Sequence, residues 1–324
     1  MTPLERLVRE RIAREGPLPF SEVMQVALYH PEHGYYSKLR GFGADGDFIT
    51  SPEVDPAFGQ LVARQAIDLW NFLERPRPFR ILEYGAGSGA LAEALLRHVP
   101  GAAYAIDEPS PSLRRVQHAR LGHMPPLDGP PHLVIANEVL DALPVHLVTV
   151  RDGALRELRV DADLHWLETD PPAALLGYFD RLGLLPPEGA TTEVNLELEP
   201  WVHHLATRLE RGLALILDYG YPAEAFYARP QGTLLTYYRH TLGSDPLLRL
   251  GQQDISVNVD FTTLATVAHA AGLHVIGVTS QRAFLRKLGI GDRAPALVNP
   301  NGLGRIAVLF LGRGLDGYDP VGLG

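Results

Sequence analysis

Three glycines spaced two residues apart follow a short apolar segment and an acid near residue 80. The run is Glu83-Tyr84-Gly85-Ala86-Gly87-Ser88-Gly89, and apolar residues then recur at positions 91, 94 and 95 with helical spacing. Glycine permits a sharp turn and a close ligand approach that a Cβ atom would block. The first N–H groups of the following helix face the same ligand. The pattern therefore predicts a strand, a ligand-binding turn and a helix.

The glycine spacing distinguishes two classes of nucleotide cofactor. A dinucleotide-binding turn has the pattern Gly-x-Gly-x-x-Gly, which leaves room for a pyrophosphate. This chain instead has Glu-x-Gly-x-Gly-x-Gly. That run resembles the first motif of class I S-adenosylmethionine (SAM) methyltransferases, whose ligand carries an amino acid and no phosphate. The alternative is an ordinary glycine-rich turn, so the downstream residues must decide.

An acid follows the next predicted strand at the spacing expected for a ribose contact. The strand at 103–106 ends in Asp107 and Glu108, and Glu108 lies 19 residues after Gly89. Two carboxylate oxygens suit the vicinal diol of a ribose, and their charge would repel a 2′-phosphate. Asp107 is the alternative for this role, and Ser110 is suited to cap the next helix at 113–121.

Polar side chains also follow the apolar strand at 132–136. Asn137 and Glu138 come directly after it, at the edge where open parallel sheets bind ligands. We expect Asn137 to hold the amino acid part of the cofactor or a substrate carbonyl. Glu138 and Asp141 are candidates to meet a cationic substrate. Capping of the next helix is an equal alternative for Asp141.

Composition limits the possible function classes. The 324 residues are 46% hydrophobic and 21% charged, which is typical of a folded globular protein. A net charge of −9 argues against nucleic acid as a partner. The absence of cysteine excludes thiolate metal sites and a thiol nucleophile, and no metal site is predicted. Without a visible targeting segment or apolar span, we expect a cytoplasmic protein without membrane insertion, in an oligomeric state that the sequence leaves open.

The remaining patterns predict how these residues are positioned. Residues 1–78 form an N-terminal helical cap, with helices at 2–15 and 21–29, followed by a long aromatic-rich lid loop. Residues 79–324 form an α/β domain with a Rossmann-like sheet. A hairpin signal around Asp152 and Gly153 and a helix at about 199–211 indicate a mixed α/β insertion at about 145–211.

Blocks of sequence along nearly the whole chain resemble the MidA family of SAM-dependent methyltransferases. They occur in family order, at 28–36, 46–53, 58–59, 83–89, 108–110 with Gln117, 136–144, 218–220, 232–234, 238–240, 254–256, 259–261 and 281–285. The family includes a mitochondrial complex I assembly factor that methylates arginine in a complex I subunit. The resemblance implies a class I methyltransferase fold, SAM as cofactor, and a protein arginine, such as one in a complex I subunit, as methyl acceptor.

The resemblance also implies roles for individual residues. Glu193 matches a family acid, so the candidate catalytic residues are Glu138, Asp141 and Glu193, with Asp218 as a further strand-end acid. Independently of the resemblance, the loop at 46–53 is too long to be a passive connection, so we expect it to close over the cofactor, with Thr50 or Ser51 hydrogen-bonded to the cofactor. The candidate cofactor-binding residues are Thr50, Ser51, Glu83, Gly85, Gly87, Gly89, Glu108 and Asn137.

Methyl transfer requires an in-line approach of a nucleophile to a sulfonium methyl group and no covalent enzyme intermediate. An arginine acceptor is planar and cationic, so carboxylates must bind it, orient one nitrogen and let a proton leave. Glu138 is the first candidate for that contact. Capped or ion-paired strand ends are equal alternatives for Glu193 and Asp218.

Two departures from the family pattern stand out. Residues 122–132 are too few and too rich in proline for the usual third strand and helix, so one sheet edge is expected to be trimmed beside the adenine pocket. Ser256 and Asn258 replace an expected threonine and histidine. Three other functions compete with arginine methylation: a nicotinamide-dependent oxidoreductase, a SAM-binding assembly scaffold and a small-molecule methyltransferase.

Overall fold

The computed structural model of the chain describes residues 1–38, 50–239 and 241–323. Within these ranges, none of the helices combines the length and apolar character needed to cross a membrane. The described residues form two compact units. The first comprises Met1–Leu39, Asp141–Trp201 and Gly220–Leu264, and the second comprises Arg40–Leu140, Val202–Tyr219 and Ala265–Gly324.

The helices and strands are numbered along the chain. The α-helices of the described residues are α1 (Pro3–Glu15), α2 (Phe20–Tyr29), α3 (Tyr35–Lys38), α4 (Ser51–Val54), α5 (Ala57–Phe72), α6 (Ala90–His98), α7 (Pro111–Leu121), α8 (Ala173–Leu182), α9 (Leu198–Arg208), α10 (Ala223–Tyr227), α11 (Phe261–Ala270) and α12 (Gln281–Lys287). The strands are β1 (Leu18–Pro19), β2 (Phe79–Tyr84), β3 (Ala102–Asp107), β4 (Leu133–Asn137), β5 (His146–Arg151), β6 (Ala154–Val160), β7 (Trp166–Thr169), β8 (Thr191–Val194), β9 (Gly212–Asp218), β10 (Gly220–Tyr221), β11 (Leu235–Tyr238), β12 (Thr241–Gly243), β13 (Asp254–Ser256), β14 (Val259–Asp260), β15 (His274–Ser280) and β16 (Ala307–Arg313).

A six-stranded sheet forms the centre of the second unit, in the order β3-β2-β4-β9-β16-β15. The strands β3, β2, β4 and β9 are parallel, whereas β16 runs antiparallel to both of its neighbours. Every residue of β4 and β9 is buried, as continuous apolar strands covered on both faces must be. This is the predicted Rossmann-like α/β architecture, with the carboxyl ends of its parallel strands at one edge.

The trimmed sheet edge predicted from residues 122–132 is also present. Between α7 and β4 the described residues contain neither a strand nor a helix, and β3 is the outermost strand of the sheet. The segment is too short, and prolines too frequent in it, to add a hydrogen-bonded strand. The turn at the end of β2 therefore lies one strand away from the edge.

The first unit contains the predicted hairpin of β5 and β6, within a sheet ordered β1-β6-β5-β8 in which β7 also pairs with β6. Its helix α1 begins at the predicted capping box, where Thr2 and Glu5 exchange backbone and side-chain hydrogen bonds. The two units group the chain differently from the expected cap (1–78) and insertion (145–211), since 220–264 joins the first unit and 50–78 the second. The expected division itself stays a prediction about domain organisation.

Candidate active site

The glycine run forms a tight turn between β2 and α6. Gly85, Gly87 and Gly89 have φ values of 57°, 56° and 82°, a region that favours glycine. A Cβ atom at Gly85 would lie 3.0 Å from Val139 Cγ2, and one at Gly89 would lie 3.0 Å from Leu121 Cδ1. The turn is therefore fixed both by its backbone conformation and by close neighbours.

Glu83 is buried at the end of β2, immediately before this turn. Its Oε2 accepts a hydrogen bond of 2.7 Å from the Tyr104 hydroxyl on the neighbouring strand β3. Burial raises the pKa of Glu83 to about 7, with the Tyr104 hydrogen bond opposing the rise and the charge of Glu108 adding to it. The Glu83 carboxyl group thus lies within electrostatic range of Glu108, whose charge makes the ionisation of Glu83 less favourable.

The strand-end acid Glu108 is held in one orientation. Its Oε1 accepts from the backbone N–H of Ser110 at 2.9 Å, and its Oε2 accepts from Gln117 Nε2 at 3.2 Å. Burial raises the pKa of Glu108, against the effect of these two hydrogen bonds. Asp107, the alternative ribose contact, is exposed. The geometry favours Glu108 for a contact that needs a fixed pair of acceptor oxygens.

A cavity of about 680 Å³ lies beside Glu108 in the second unit. Its wall includes Leu82, Asp107 and Glu108 from β2 and the end of β3, Met124 and the proline-rich segment that follows it, and Arg208 from α9. Residues 124–131 thus take the place of the missing strand and helix as a wall. The cavity is of the size that a small-molecule ligand occupies.

Asn137 and Glu138 lie at the carboxyl end of β4, next to the end of β2. Glu138 has a φ of 53°, and its backbone N–H donates to the Leu217 carbonyl at 2.8 Å. Its Oε1 accepts from Asn137 Nδ2 at 3.2 Å and from the Ser51 backbone N–H at 3.4 Å. The buried Asn137 Oδ1 has no hydrogen-bond partner within the described part of the chain. An unsatisfied buried acceptor at this edge points to a donor supplied by a ligand.

Glu138 is a carboxyl group whose charge is poorly stabilised. Burial raises its pKa to about 7, and the nearby charge of Asp218 contributes to the rise, whereas the Ser51 and Asn137 hydrogen bonds oppose it. No cation of the described residues is among the groups that act on this pKa. A cationic ligand beside Glu138 would supply the missing stabilisation.

The predicted lid falls partly on residues 39–49, which lie outside the described residues. Of its final residues, Thr50 precedes α4 and Ser51 begins it. The Ser51 side chain is fully buried and its Oγ donates to Gln281 Oε1 at 2.9 Å. This contact favours a structural use of the Ser51 hydroxyl over the predicted cofactor contact, which leaves the half-buried Thr50 as the stronger candidate of the two.

Asp141 and Glu193 belong to the first unit. The Asp141 carbonyl accepts from the Val257 backbone N–H at 2.9 Å, and Asp141 itself lies in a short 3₁₀ turn. The buried carboxylate of Glu193 accepts from the backbone N–H groups of Thr233 at 2.8 Å and Leu234 at 2.7 Å. The hydrogen bonds of Glu193 satisfy a turn of the backbone, which favours a structural role over the predicted catalytic one.

Several supporting residues were not among the predicted site residues. Gln117 Nε2 donates both to Glu108 and, at 2.9 Å, to the Gly87 carbonyl, so that one amide connects the turn with the acid. Ser88 donates its hydroxyl hydrogen to Glu53 and accepts from Arg120. The sequence signal for Gln117 is its place in the resemblance to the MidA family, where it accompanies the block at 108–110.

Comparison with known proteins identifies the class of protein. Residues 61–279 match the family model described as "Putative S-adenosyl-L-methionine-dependent methyltransferase". The Drosophila melanogaster protein arginine methyltransferase NDUFAF7 homolog, a mitochondrial protein, is 30% identical over 88% of this chain and 74% of its own length. The human mitochondrial protein arginine methyltransferase NDUFAF7 is 26% identical over 92% of this chain and 76% of its own length.

A solved structure shows the same fold with a bound product-like ligand. A Burkholderia thailandensis protein crystallised with S-adenosyl-homocysteine is 33% identical, with a TM-score of 0.87 over 98% of this chain and 94% of its own. The fold and the glycine turn define a class I SAM-dependent methyltransferase. The chain belongs to the family of S-adenosyl-L-methionine-dependent methyltransferases whose model it matches.

The residues of the second unit fit the cofactor of this family. The glycine turn has the backbone conformation that only glycine adopts readily, Glu108 offers two oriented acceptor oxygens, and the cavity beside Glu108 has space for a base. The buried, unpaired Asn137 Oδ1 would meet the ammonium group of the cofactor's amino acid part. The expected fold, enzyme class and cofactor are thereby confirmed, whereas the roles of the individual residues stay proposals.

SAM, when bound, supplies an electrophilic methyl group on a sulfonium. The protein's own contribution is to hold the acceptor nitrogen in line and to exclude water. Glu138 presents its carboxylate at the carboxyl end of β4, and its pKa of about 7 lets this group exchange a proton near neutral pH. Asn137 and the Ser51 N–H fix the carboxylate in place while it does so.

Proposed function

We propose that this enzyme transfers a methyl group from SAM to an arginine side chain of a protein. The main support for this proposal is the environment of Glu138, whose carboxylate lies at the carboxyl edge of the parallel strands. One of its oxygens accepts two hydrogen bonds, and burial raises its pKa. A guanidinium is cationic over the whole physiological pH range and presents paired N–H donors that match a carboxylate. The names of the NDUFAF7 relatives support the same acceptor.

The chemistry of arginine explains why such a carboxylate would be useful. A guanidinium nitrogen is a poor nucleophile because its lone pair is delocalised, and the carboxylate must orient one nitrogen toward the methyl group. Binding of the cation lowers the pKa of Glu138, so that the carboxylate is charged in the complex. The proton released by the methylated nitrogen then has an acceptor within reach.

We also propose a protein partner and a cellular location for this enzyme. The proposed target is a complex I subunit and the proposed site of action is the cytoplasm. Asp141, three residues after Glu138 in the sequence, is proposed as an additional acid. The net charge of −9 favours a cationic surface around the target arginine. The relatives are described as mitochondrial, which is consistent with a respiratory target.

The test is transfer of an isotope-labelled methyl group. The purified protein is incubated with methyl-labelled SAM and a protein extract, and the protein fraction is hydrolysed for amino acid analysis. We expect the label in methylated arginine, and intact peptides then show whether one or two methyl groups are added. Label confined to small molecules, or to methylated lysine, would contradict the proposal.

A further inference from the structure

A buried hydrogen bond connects the segment before α5 with the C-terminal part of the second unit. Ser51 Oγ donates to Gln281 Oε1 at 2.9 Å, and both side chains are 0% exposed. The other end of the Gln281 side chain, Nε2, donates to the Leu297 carbonyl at 3.0 Å. Because the amide nitrogen must face that carbonyl, the amide oxygen must face Ser51. The orientation of Gln281 is therefore fixed at both ends.

The same serine contacts the carboxylate at the ligand edge. The Ser51 backbone N–H donates to Glu138 Oε1 at 3.4 Å, and this oxygen also accepts from Asn137 Nδ2 at 3.2 Å. Asn137 directly precedes Glu138 in the sequence, so the two residues are held by the same stretch of backbone. Ser51 belongs to a separate segment of the chain. Any displacement of Ser51 would leave the Glu138 carboxylate with one donor fewer and a wider range of orientations.

We propose that Gln281 is a positioning residue for methyl transfer, acting by holding Ser51 so that its backbone N–H fixes the carboxylate of Glu138. The inference rests on the proposed role of Glu138 at the methyl acceptor. Gln281 lies 143 residues from Glu138 in the sequence. Its proposed function is in the reaction and not in cofactor binding.

The chemistry of Glu138 gives this contact a measurable effect beyond stability. Burial is the largest influence on its pKa and raises it, and the Ser51 N–H is one of two donors that oppose the rise. Loss of that donor should move the pKa of Glu138 further up. A residue that only packed the interior would change the melting temperature without moving the pH dependence of the reaction.

The test uses Gln281→Met, which has nearly the same size and lacks the amide oxygen and nitrogen, and Ser51→Ala, which removes only the hydroxyl. In each variant we expect kcat to fall by about tenfold, with the KM for SAM within about twofold of the wild type. The midpoint of the kcat against pH curve should move to higher pH. The double variant should lose no more activity than Gln281→Met alone, since that change already breaks the hydrogen bond to Ser51 as well as the one to Leu297.

Two controls make the outcome unambiguous. Lys287→Gln, at the exposed end of α12, should leave kcat and the pH midpoint unchanged. Glu138→Gln is assayed in the same series, because an active Glu138→Gln variant would overturn the proposed role of that acid itself. A different result would overturn only the inference about Gln281. In that case Glu138→Gln is inactive, whereas Ser51→Ala and Gln281→Met are folded and keep the wild-type kcat and pH midpoint.

Discussion

The Asp218 carboxylate lies beside Glu138 and binds the backbone that follows it. Asp218 Oδ2 accepts from the N–H groups of Val139 at 3.2 Å and Leu140 at 2.9 Å, and its charge contributes to the raised pKa of Glu138. One fully buried acid at the end of β9 thus shapes the turn after β4 and makes the ionisation of Glu138 less favourable. The Glu138 backbone has a φ of 53°, and this turn keeps it in that conformation.

The proximity of Asp218 predicts a shift in the pH dependence of the reaction. In the wild type, kcat/KM for SAM should rise with pH and level off above about 7, as Glu138 loses its proton. Asp218→Asn removes a negative charge, so ionisation of Glu138 becomes easier and the midpoint should move to lower pH. Initial rates from pH 5.5 to 9 measure this, with the melting temperature as the check on folding. A midpoint that stays in place or moves up would contradict the coupling.

Substitution in the glycine turn should abolish cofactor binding without unfolding the protein. In Gly87→Val the side chain would occupy the space of the ligand and strain a residue with a φ of 56°. Calorimetric titration with SAM should show no measurable binding, with a nearly native circular dichroism spectrum. Gly101→Val is the matched control, because Gly101 also has a positive φ but has open space around it and precedes β3. Unchanged affinity in Gly87→Val would refute the proposed cofactor turn.

The two acids at the end of β3 should differ in their importance for binding. Glu108→Ala should weaken SAM binding by about 2–4 kcal/mol, because two charge-assisted hydrogen bonds to the ribose are lost and water replaces part of them. Asp107→Ala should change the affinity little, since Asp107 is exposed. Dissociation constants for both variants decide the question. The opposite pattern would transfer the ribose contact to Asp107.

The buried Glu83 predicts a pH dependence of stability. Its folded-state pKa of about 7 exceeds the ordinary glutamate value of 4.5, so the unfolded state loses its proton first and the free energy of unfolding falls as pH rises between about 4.5 and 7. Glu83→Gln has no proton to lose at this position, so its free energy of unfolding should not show this fall. The free energy of unfolding of the variant minus that of the wild type should therefore be larger at pH 8 than at pH 5, by up to about 3 kcal/mol. Urea unfolding at both pH values measures the difference.

The control for this experiment is Glu210→Gln, an exposed acid in the same unit. Its stability difference from the wild type should be the same at pH 5 and pH 8. If Glu83→Gln behaved in the same way as this control, the unfavourable ionisation of Glu83 in the folded state would be disproved.

The sheet and the cofactor turn could be predicted because local sequence determines them. Apolar strands ending in acids, a capped helix after Ser110 and glycines with special backbone conformations all leave signals within about ten residues. The absence of a strand at 122–132 was equally visible, since proline density and length exclude it. These features required no knowledge of distant contacts.

The surroundings of the candidate acids could not be predicted in the same way. Ser51 and Gln281 lie 230 residues apart, and nothing in the neighbourhood of either residue indicates their hydrogen bond. Glu193 lies in β8 and Glu138 directly follows β4, so the sequence places both at strands. Backbone N–H groups of a distant turn donate to Glu193, whereas Glu138 lies next to a second acid. The sequence shows which residues carry charge, whereas the fold determines which of these charges already have hydrogen-bond partners.

The most direct test of the account compares cofactor binding and methyl transfer in a single Glu138→Gln preparation. Glutamine keeps the size of the side chain and removes its charge, so SAM should bind with an affinity within about threefold of the wild type while methyl transfer to protein arginine falls by at least about a hundredfold. Calorimetry gives the first quantity, and mass spectrometry of labelled arginine gives the second. Full methyl transfer by Glu138→Gln, with normal SAM binding, would contradict the assignment of Glu138 as the acid that receives the acceptor.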